Sequence, residues 1–250
     1  GEGLAELRAA LARAARDVPT RRANGPARLP IDRAFSIKGF GTVFTGTQVS
    51  GRIGVDSELV VLPGGRRVKV RGVQVHGRKE PVVTAGQRAA VNLGGIDVTE
   101  VSRGETLATP GGFEVTRRLD AVLELLPSAR PLRHGARVRF HHGTDELLGR
   151  ISVAGPVDRS SPSGAGEGGA DEAGLSTAIQ PGVRAYVRIR LEQSAVLTRG
   201  DRYIVRAYSP PITIGGGYVL DPQPPRSGVR SRLGRARLEG LDQEGPEAPS

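Results

Sequence analysis

The chain has no cysteine and no methionine, and only 4% of its residues are aromatic. Without cysteine there are no disulfides and no thiolate metal sites, so redox chemistry says nothing about the compartment. Without methionine there is no initiator; the sequence starts on Gly1, and a processed or excised piece of a larger protein is expected. No apolar run approaches the ~20 residues of a membrane span. Lysine is scarce too, since 33 of the 36 basic residues are arginine. A GC-rich coding bias accounts for that ratio but not for the net charge of +10. Arginine's planar fork suits bidentate contact with phosphate and carboxylate, and the positive surplus fits a nucleic-acid partner.

What is present suggests two domains. The chain has 250 residues, 37% of them hydrophobic, enough for two cores at roughly 100–150 residues each. Residues 28–51 read RLPIDRAFSIKGFGTVFTGTQVSG. Leu29, Ile31, Arg33, Phe35 and Ile37 share one parity of an alternating strand, and Asp32 falls on the other with Pro30, Ala34 and Ser36. Gly39, Gly41 and Gly46 then raise the prospect of a phosphate cradle. A P-loop needs Lys and Ser/Thr after its second glycine, for the β/γ-phosphates and magnesium; here Thr47 and Gln48 follow Gly46. A dinucleotide fingerprint needs a glycine at position 44, which is Phe44. Both readings fail, and the stretch is a hairpin turning at 38–41.

The rest is strand-and-turn sequence, apart from one amphipathic helix over 3–17 with Leu4, Leu7 and Leu11 on a stripe that must dock on something. Apolar parity changes between Val68/Val70 and Val73/Val75, which places a β-bulge at Gly72. AGQRAAVNL at 85–93 is echoed by PGVRAYVRI at 181–189, and RGETL at 103–107 by RGDRY at 199–203. Both echoes share one offset of 96 residues, so two related barrels in tandem are expected, mainly β in class. The boundaries run: helix 1–18, linker 19–27, barrel 28–110, barrel 113–222, and tail 223–250. The segment 157–180 is small, polar and acidic; it and the tail are expected to be disordered.

Several blocks together carry a family resemblance. The stretch from 28 to 47 resembles the second domain of translational GTPases such as elongation factor Tu. KVRGVQVHG at 69–77, AGQRAAVNLGG, VRFHHGTDELLGRI, GDRYIVRAYSP and TIGGGYVLDP resemble, in order, the bacterial selenocysteine-specific elongation factor (SelB type). The resemblance covers roughly residues 1–225. It implies that the first helix closes a GTP-binding domain and that the barrels are domains two and three. Neither that domain's P-loop nor a C-terminal array gripping an mRNA hairpin is in the sequence, so this chain alone is expected neither to bind nor to hydrolyse GTP.

The resemblance further implies a cytoplasmic protein whose partners are selenocysteyl-tRNA and the ribosome, with GTP and magnesium as cofactors of the intact family protein. It assigns the aminoacyl end to Asp32 and Arg33 of PIDR and to Arg88 of AGQR. A selenol is largely anionic near neutral pH and a serine hydroxyl is not, so two guanidiniums would favour the former by charge-assisted hydrogen bonds. The plain alternative for Arg33 is a barrel-rim arginine paired with a carboxylate. Candidate RNA contacts are Lys38, Arg184, Arg188 and Arg190; the last three alternate with apolar residues on one strand, which equally describes a solvated face. His141-His142 lacks a metal-ligating constellation. Catalytic and metal residues: none. The rival readings are domains of a general translational GTPase and a stand-alone RNA-binding barrel protein.

Overall fold

Alternation of apolar and polar residues, broken by glycine-bearing turns, builds both halves of the molecule from short antiparallel strands. The computed structural model describes residues 2–18, 23–38, 41–157, 178–226 and 228–245. In the first half β1 (Arg28–Ile37), β2 (Gly41–Thr47), β4 (Glu58–Leu62), β5 (Arg66–Val75), β8 (Arg88–Gly94) and β9 (Thr106–Ala108) form the wall. Three short strands, β3 (Arg52–Gly54), β6 (Arg78–Glu80) and β7 (Val82–Thr84), decorate it. The wall order is β4-β9-β1-β2-β8-β5, and β4 pairs β5 to close the ring. Leu29, Ile31, Phe44, Val70, Val91 and Leu107 fill it. The register of β5 on β8 slips between Val70 and Gly72, where the parity change put a bulge.

The second half closes in the order β10 (Val115–Leu125), β15 (Arg184–Val196), β13 (Asp145–Pro156), β12 (Arg137–His142), β16 (Arg202–Ala207), β17 (Thr213–Asp221). A two-strand ribbon, β11 (Leu132–Arg133) with β14 (Ala178–Ile179), lies beside it. Leu119, Leu123, Phe140, Ile151, Val187 and Val205 lie in its core, and Tyr203 stacks on Phe140 with centroids 4.9 Å apart.

The strands that carry the echoes, β8/β15 and β9/β16, correspond at the 96-residue offset, and the remaining strands correspond by their places in the ring. In each, the strand carrying the echo is flanked alike: β8 by β2 and β5, and β15 by β10 and β13. Val91 and Val187 are both wholly buried. Gly86 and Gly182 have φ of +93° and +75°, Gly104 and Gly200 of +100° and +83°, conformations that glycine adopts without strain. Gly104 N–H donates to the Ile31 carbonyl and Gly200 N–H to that of Val219. The correspondence therefore equates β1, the first strand of one barrel, with β17, the last strand of the other. Barrel two is a circular permutation of barrel one.

Several expectations need correcting. Ala27 is not linker: it is buried and donates to Thr109 Oγ1 at 2.8 Å. Of the 157–180 segment, 158–177 lie outside the described residues, but its margins are packed, with Ile179 in the core and Val157 against an outer cluster. The tail is not disordered throughout. A helix α2 (Arg232–Gln243), capped by the Ser231 side chain accepting from Gly234 N–H, lies on the outside of barrel two. Its Leu238 is wholly buried among Val122, Ala154, Tyr186 and Leu220. The N-terminal helix α1 (Leu4–Asp17) forms as expected, with Leu4, Leu7 and Leu11 exposed.

A buried ion pair joins the barrels. Arg28, at the start of β1, forks onto Asp201 with bonds of 2.8 and 2.7 Å. Both side chains are 4% exposed. Thr198 N–H donates to the same carboxylate at 2.8 Å, and His142 Nε2 lies 3.1 Å from it. Burial alone would raise the Asp201 carboxyl; His142 and the Arg28 fork outweigh it and hold it far below the carboxylate range. Thr144 Oγ1 donates across the junction to the Ile31 carbonyl at 2.8 Å.

Candidate aminoacyl-RNA site

On the outer face of barrel one, a bulge in β1 decides what the site contains. Ile31 pairs with Gly46 but Arg33 with Thr45, so one residue, Asp32, is left over. Parity reverses there. Ala34 turns to the core beside Phe44, while Arg33, Phe35 and Ile37 turn outward, against the alternation read from sequence. This resolves the arginine on an apolar face: Arg33 is on the solvent side, and so are two residues that looked like core.

Asp32 and Arg88 meet on that face. Arg88 Nη1 and Nη2 both donate to the Asp32 carboxylate, the second at 3.1 Å, and Thr45 Oγ1 donates to it at 2.6 Å. Arg33 is exposed and acts on the same carboxylate through its charge. Partial burial would raise the Asp32 carboxyl; hydrogen bonds from Arg88 and Thr45 and the charges of both arginines outweigh it and lower it. The pairing is therefore Asp32 with Arg88, not Asp32 with its neighbour Arg33. Arg88 is 54% exposed, so the fork is an open one, screened by water and salt rather than held in a dry pocket.

An apolar cleft of about 420 Å³ opens on the same face, walled by Phe35, Ile37, Val43, Val55 and Ala90 with Gln74 at its side. Phe35 and Ile37 remain 39% and 42% exposed, unusual for such residues on a barrel wall. Sequence reasoning missed this cleft and Thr45. The signal was present, since a bulge before Phe35 would have turned it and Ile37 outward. Two cations sharing one anion beside an apolar slot can hold a small zwitterion next to a flat ring. The described residues contain no group of three or more His, Asp or Glu side chains arranged to hold a metal.

The remaining candidates divide. Lys38 is exposed at the end of β1, and Arg184 and Arg190 are exposed on β15. Arg188 is not available: it is 1% exposed, forks onto Asp120 at 2.7 and 3.0 Å, and lies beneath the tail. Arg237 of α2 bonds the same Asp120 and also Asp221. Tyr186, which shares that face, bonds Asp242 of α2 at 3.0 Å. The alternating stripe on β15 is thus half helix-docking surface. His142 points to the junction between the barrels.

Paired closed barrels with this junction define a class, and comparison with known proteins agrees: they are barrels of a translation elongation factor. Residues 41–108 match the family model for elongation factor Tu domain 2, and residues 119–226 that for the selenocysteine-specific elongation factor β-barrel domain. The selenocysteine-specific elongation factor of Desulfomicrobium baculatum is 37% identical over 89% of this chain and 32% of its own length. That of Haemophilus influenzae is 29% identical over 93% of this chain and 33% of its own. A crystal structure of a bacterial selenocysteine-specific elongation factor, EF-Sec, superposes with a TM-score of 0.73 at 26% identity, over 96% of this chain and 35% of that one. The chain belongs to the selenocysteine-specific elongation factor family, and it spans about a third of the length of these relatives.

Proposed function

We propose that this chain is the part of a selenocysteine-specific elongation factor that grips selenocysteyl-tRNA for delivery to the ribosome at recoded UGA codons. GTP and magnesium belong to the intact protein, where nucleotide state would gate the grip. The observation that carries this reading is the meeting of Asp32, Arg88 and Arg33 beside an apolar cleft on one outer face. The selenolate takes the guanidiniums, the α-ammonium takes Asp32, and the terminal base takes the cleft. A seryl group offers no anion and leaves the cations to water, so discrimination comes from charge rather than size. The exposed Lys38, Arg184 and Arg190 supply phosphate contacts that carry no amino-acid information.

The test compares selenocysteyl-, cysteinyl- and seryl-tRNA binding to the wild type and to Arg33→Ala and Arg88→Ala. Because both guanidiniums are exposed, each loss is expected to remove about 0.2–1 kcal/mol, up to roughly fivefold, from selenocysteyl-tRNA and little from seryl-tRNA. Equal losses for both would overturn the pocket. The match of barrel one to elongation factor Tu domain 2 favours one rival, a general factor indifferent to the side chain. Equal wild-type affinity for all three tRNAs would select that rival.

A further inference from the structure

The carbonyl of Ile31 is used twice. Gly104 N–H donates to it at 3.1 Å from within barrel one, and Thr144 Oγ1 donates to it at 2.8 Å from barrel two. The first bond continues the pairing of β1 with β9. The second closes neither ring. A backbone carbonyl has two lone pairs, but one donor already satisfies it, so folding alone does not call for the second.

Ile31 is also the last residue before the bulge. Asp32 has no residue opposite it on β2, so the ladder does not set the direction in which its side chain leaves the strand. What is set is the peptide unit that leads into it. That unit is planar, so the direction of the Ile31 carbonyl fixes the direction of Asp32 N–H on its other edge. The Ile31 side chain is wholly buried in the core of barrel one, which pins one end of the plane. Gly104 and Thr144 pin its oxygen. Only the φ of Asp32 and its side-chain torsions are then left to bring the carboxylate to Arg88 and Thr45.

The hydroxyl of Thr144 is presented by a turn that holds its place without it. Gly143-Thr144 joins the paired residues His142 and Asp145, and Gly143 takes the φ of +56° that a two-residue hairpin asks of its first residue. Arg103 Nε, from barrel one, donates to the Thr144 carbonyl at 3.2 Å. Asp145 packs so closely on Gly104 that a Cβ there would lie 2.6 Å from its Oδ1. His142, at the foot of the turn, lies 3.1 Å from Asp201, the buried partner of Arg28.

We propose that Thr144 of barrel two is a positioning residue for Asp32 in the aminoacyl site of barrel one: by holding the Ile31 carbonyl, it sets the peptide plane from which Asp32 reaches Arg88. Thr144 touches no substrate. The amino-acid site is then the work of both barrels, although every side chain in it comes from one. The inference rests on the proposed function for the role of Asp32, but the geometry it requires is readable without RNA.

The experiment compares the wild-type chain with Thr144→Val, which keeps the shape and removes the hydroxyl, and with Thr144→Ser, which restores it. Gly104 N–H still satisfies the Ile31 carbonyl in the valine variant, so its melting temperature should fall by no more than about 6 °C, as for one ordinary hydrogen bond in a chain of this size. Carbon-13 NMR of the Asp32 carboxyl then gives the decisive reading. Partial burial would raise this group, and in the wild type Arg88 and Thr45 lower it. In Thr144→Val it should titrate higher, and in Thr144→Ser it should return to the wild-type value. Seryl-tRNA should lose up to roughly fivefold in affinity relative to uncharged tRNA in Thr144→Val, because its α-ammonium no longer finds the carboxylate in place. An Asp32 carboxyl that titrates in Thr144→Val as in the wild type, or a shift that serine does not reverse, overturns the proposal. A shift that serine reverses, with no change in seryl-tRNA binding, upholds the positioning by Thr144 and counts instead against the α-ammonium at Asp32 in the proposed function.

Discussion

Asp201→Asn is the substitution that most directly tests how the two barrels are held. It keeps the shape and removes the charge from a carboxylate that accepts 2.8 and 2.7 Å bonds from Arg28 and a 2.8 Å bond from Thr198 N–H. Both members of the pair are 4% exposed, so water does not replace the lost partner. The Arg28 guanidinium is then left as an uncompensated buried charge, and breaking such a pair from one side costs about 3–5 kcal/mol. For a chain of this size that is roughly 6–20 °C in melting temperature, at about 2–4 °C per kcal/mol. Arg28→Met/Asp201→Leu removes both charges and should recover most of the loss, since buried pairs exchanged for apolar side chains are often neutral or better.

Differential scanning calorimetry is the assay, because it reports whether the barrels melt as one transition or two. The wild type should give one; Asp201→Asn should split it, the junction failing before either core. The pH dependence has a definite sign. The folded Asp201 carboxyl is depressed, so its stabilisation is complete above its unfolded value near ~3.9 and fades only as pH falls through the folded value. Between pH 5 and 8 the Asp201 carboxylate stays ionised and therefore adds no slope of its own to the Asp201→Asn deficit. A single variant within about a degree of wild type, or a double variant worse than the single, would refute the account of the junction.

Three further outcomes follow from other contacts. Leu238→Ala empties the one buried position of α2 and should cost about 2–5 kcal/mol of helix docking, read as faster hydrogen exchange over 232–243 with the barrel core unchanged. Gly217→Ala should prevent barrel two from closing, because a methyl there collides with the Val122 carbonyl on β10; loss of cooperative melting is the measurement, and a normal transition would refute it. Asp32→Asn should free the Arg88 fork, raising affinity for a tRNA whose acyl group bears the selenolate but no amine, while lowering it for selenocysteyl-tRNA itself.

Local periodicity carried most of the fold. Turn glycines and alternation delimit the strands, and the 96-residue echo exposed the doubling because Gly86/Gly182 and Gly104/Gly200 hold the same backbone conformations. The permutation was not legible. β1 and β17 hold equivalent places in their rings, yet RLPIDRAFSI and TIGGGYVLD share no pattern, since what fixes each is pairing with a strand far away in sequence. The tail helix was missed for a different reason. Arginine and glycine dilute its signal to Ser231 as cap and the Leu238–Leu241 pair, and its stability comes from Asp120, Asp221 and Tyr186, none of them local.

The candidate site shows how a single residue limits such reading. Alternation is a property of uninterrupted strands, and it placed Arg33, Phe35 and Ile37 with the core residues Leu29 and Ile31. One unpaired residue at Asp32 inverts every assignment after it. At Gly72 the same defect was visible because valines on both sides betrayed the change of phase. At Asp32 it was hidden, because Phe35 and Ile37 are apolar on either face. Apolar residues placed outward beside a charged cluster are poor for solubility and of no use to the core. Their place on the wall fits the proposed reading, in which a flat and partly apolar group covers them. The bulge thus does two things at once: it turns Asp32 to Arg88 and it builds the cleft next to them. A one-residue deletion at Asp32 should therefore abolish binding of every aminoacyl-tRNA, not only the selenocysteyl one, by sending Phe35 and Ile37 inward. Retained binding of seryl-tRNA in that deletion would show that the cleft takes no part in holding the RNA end.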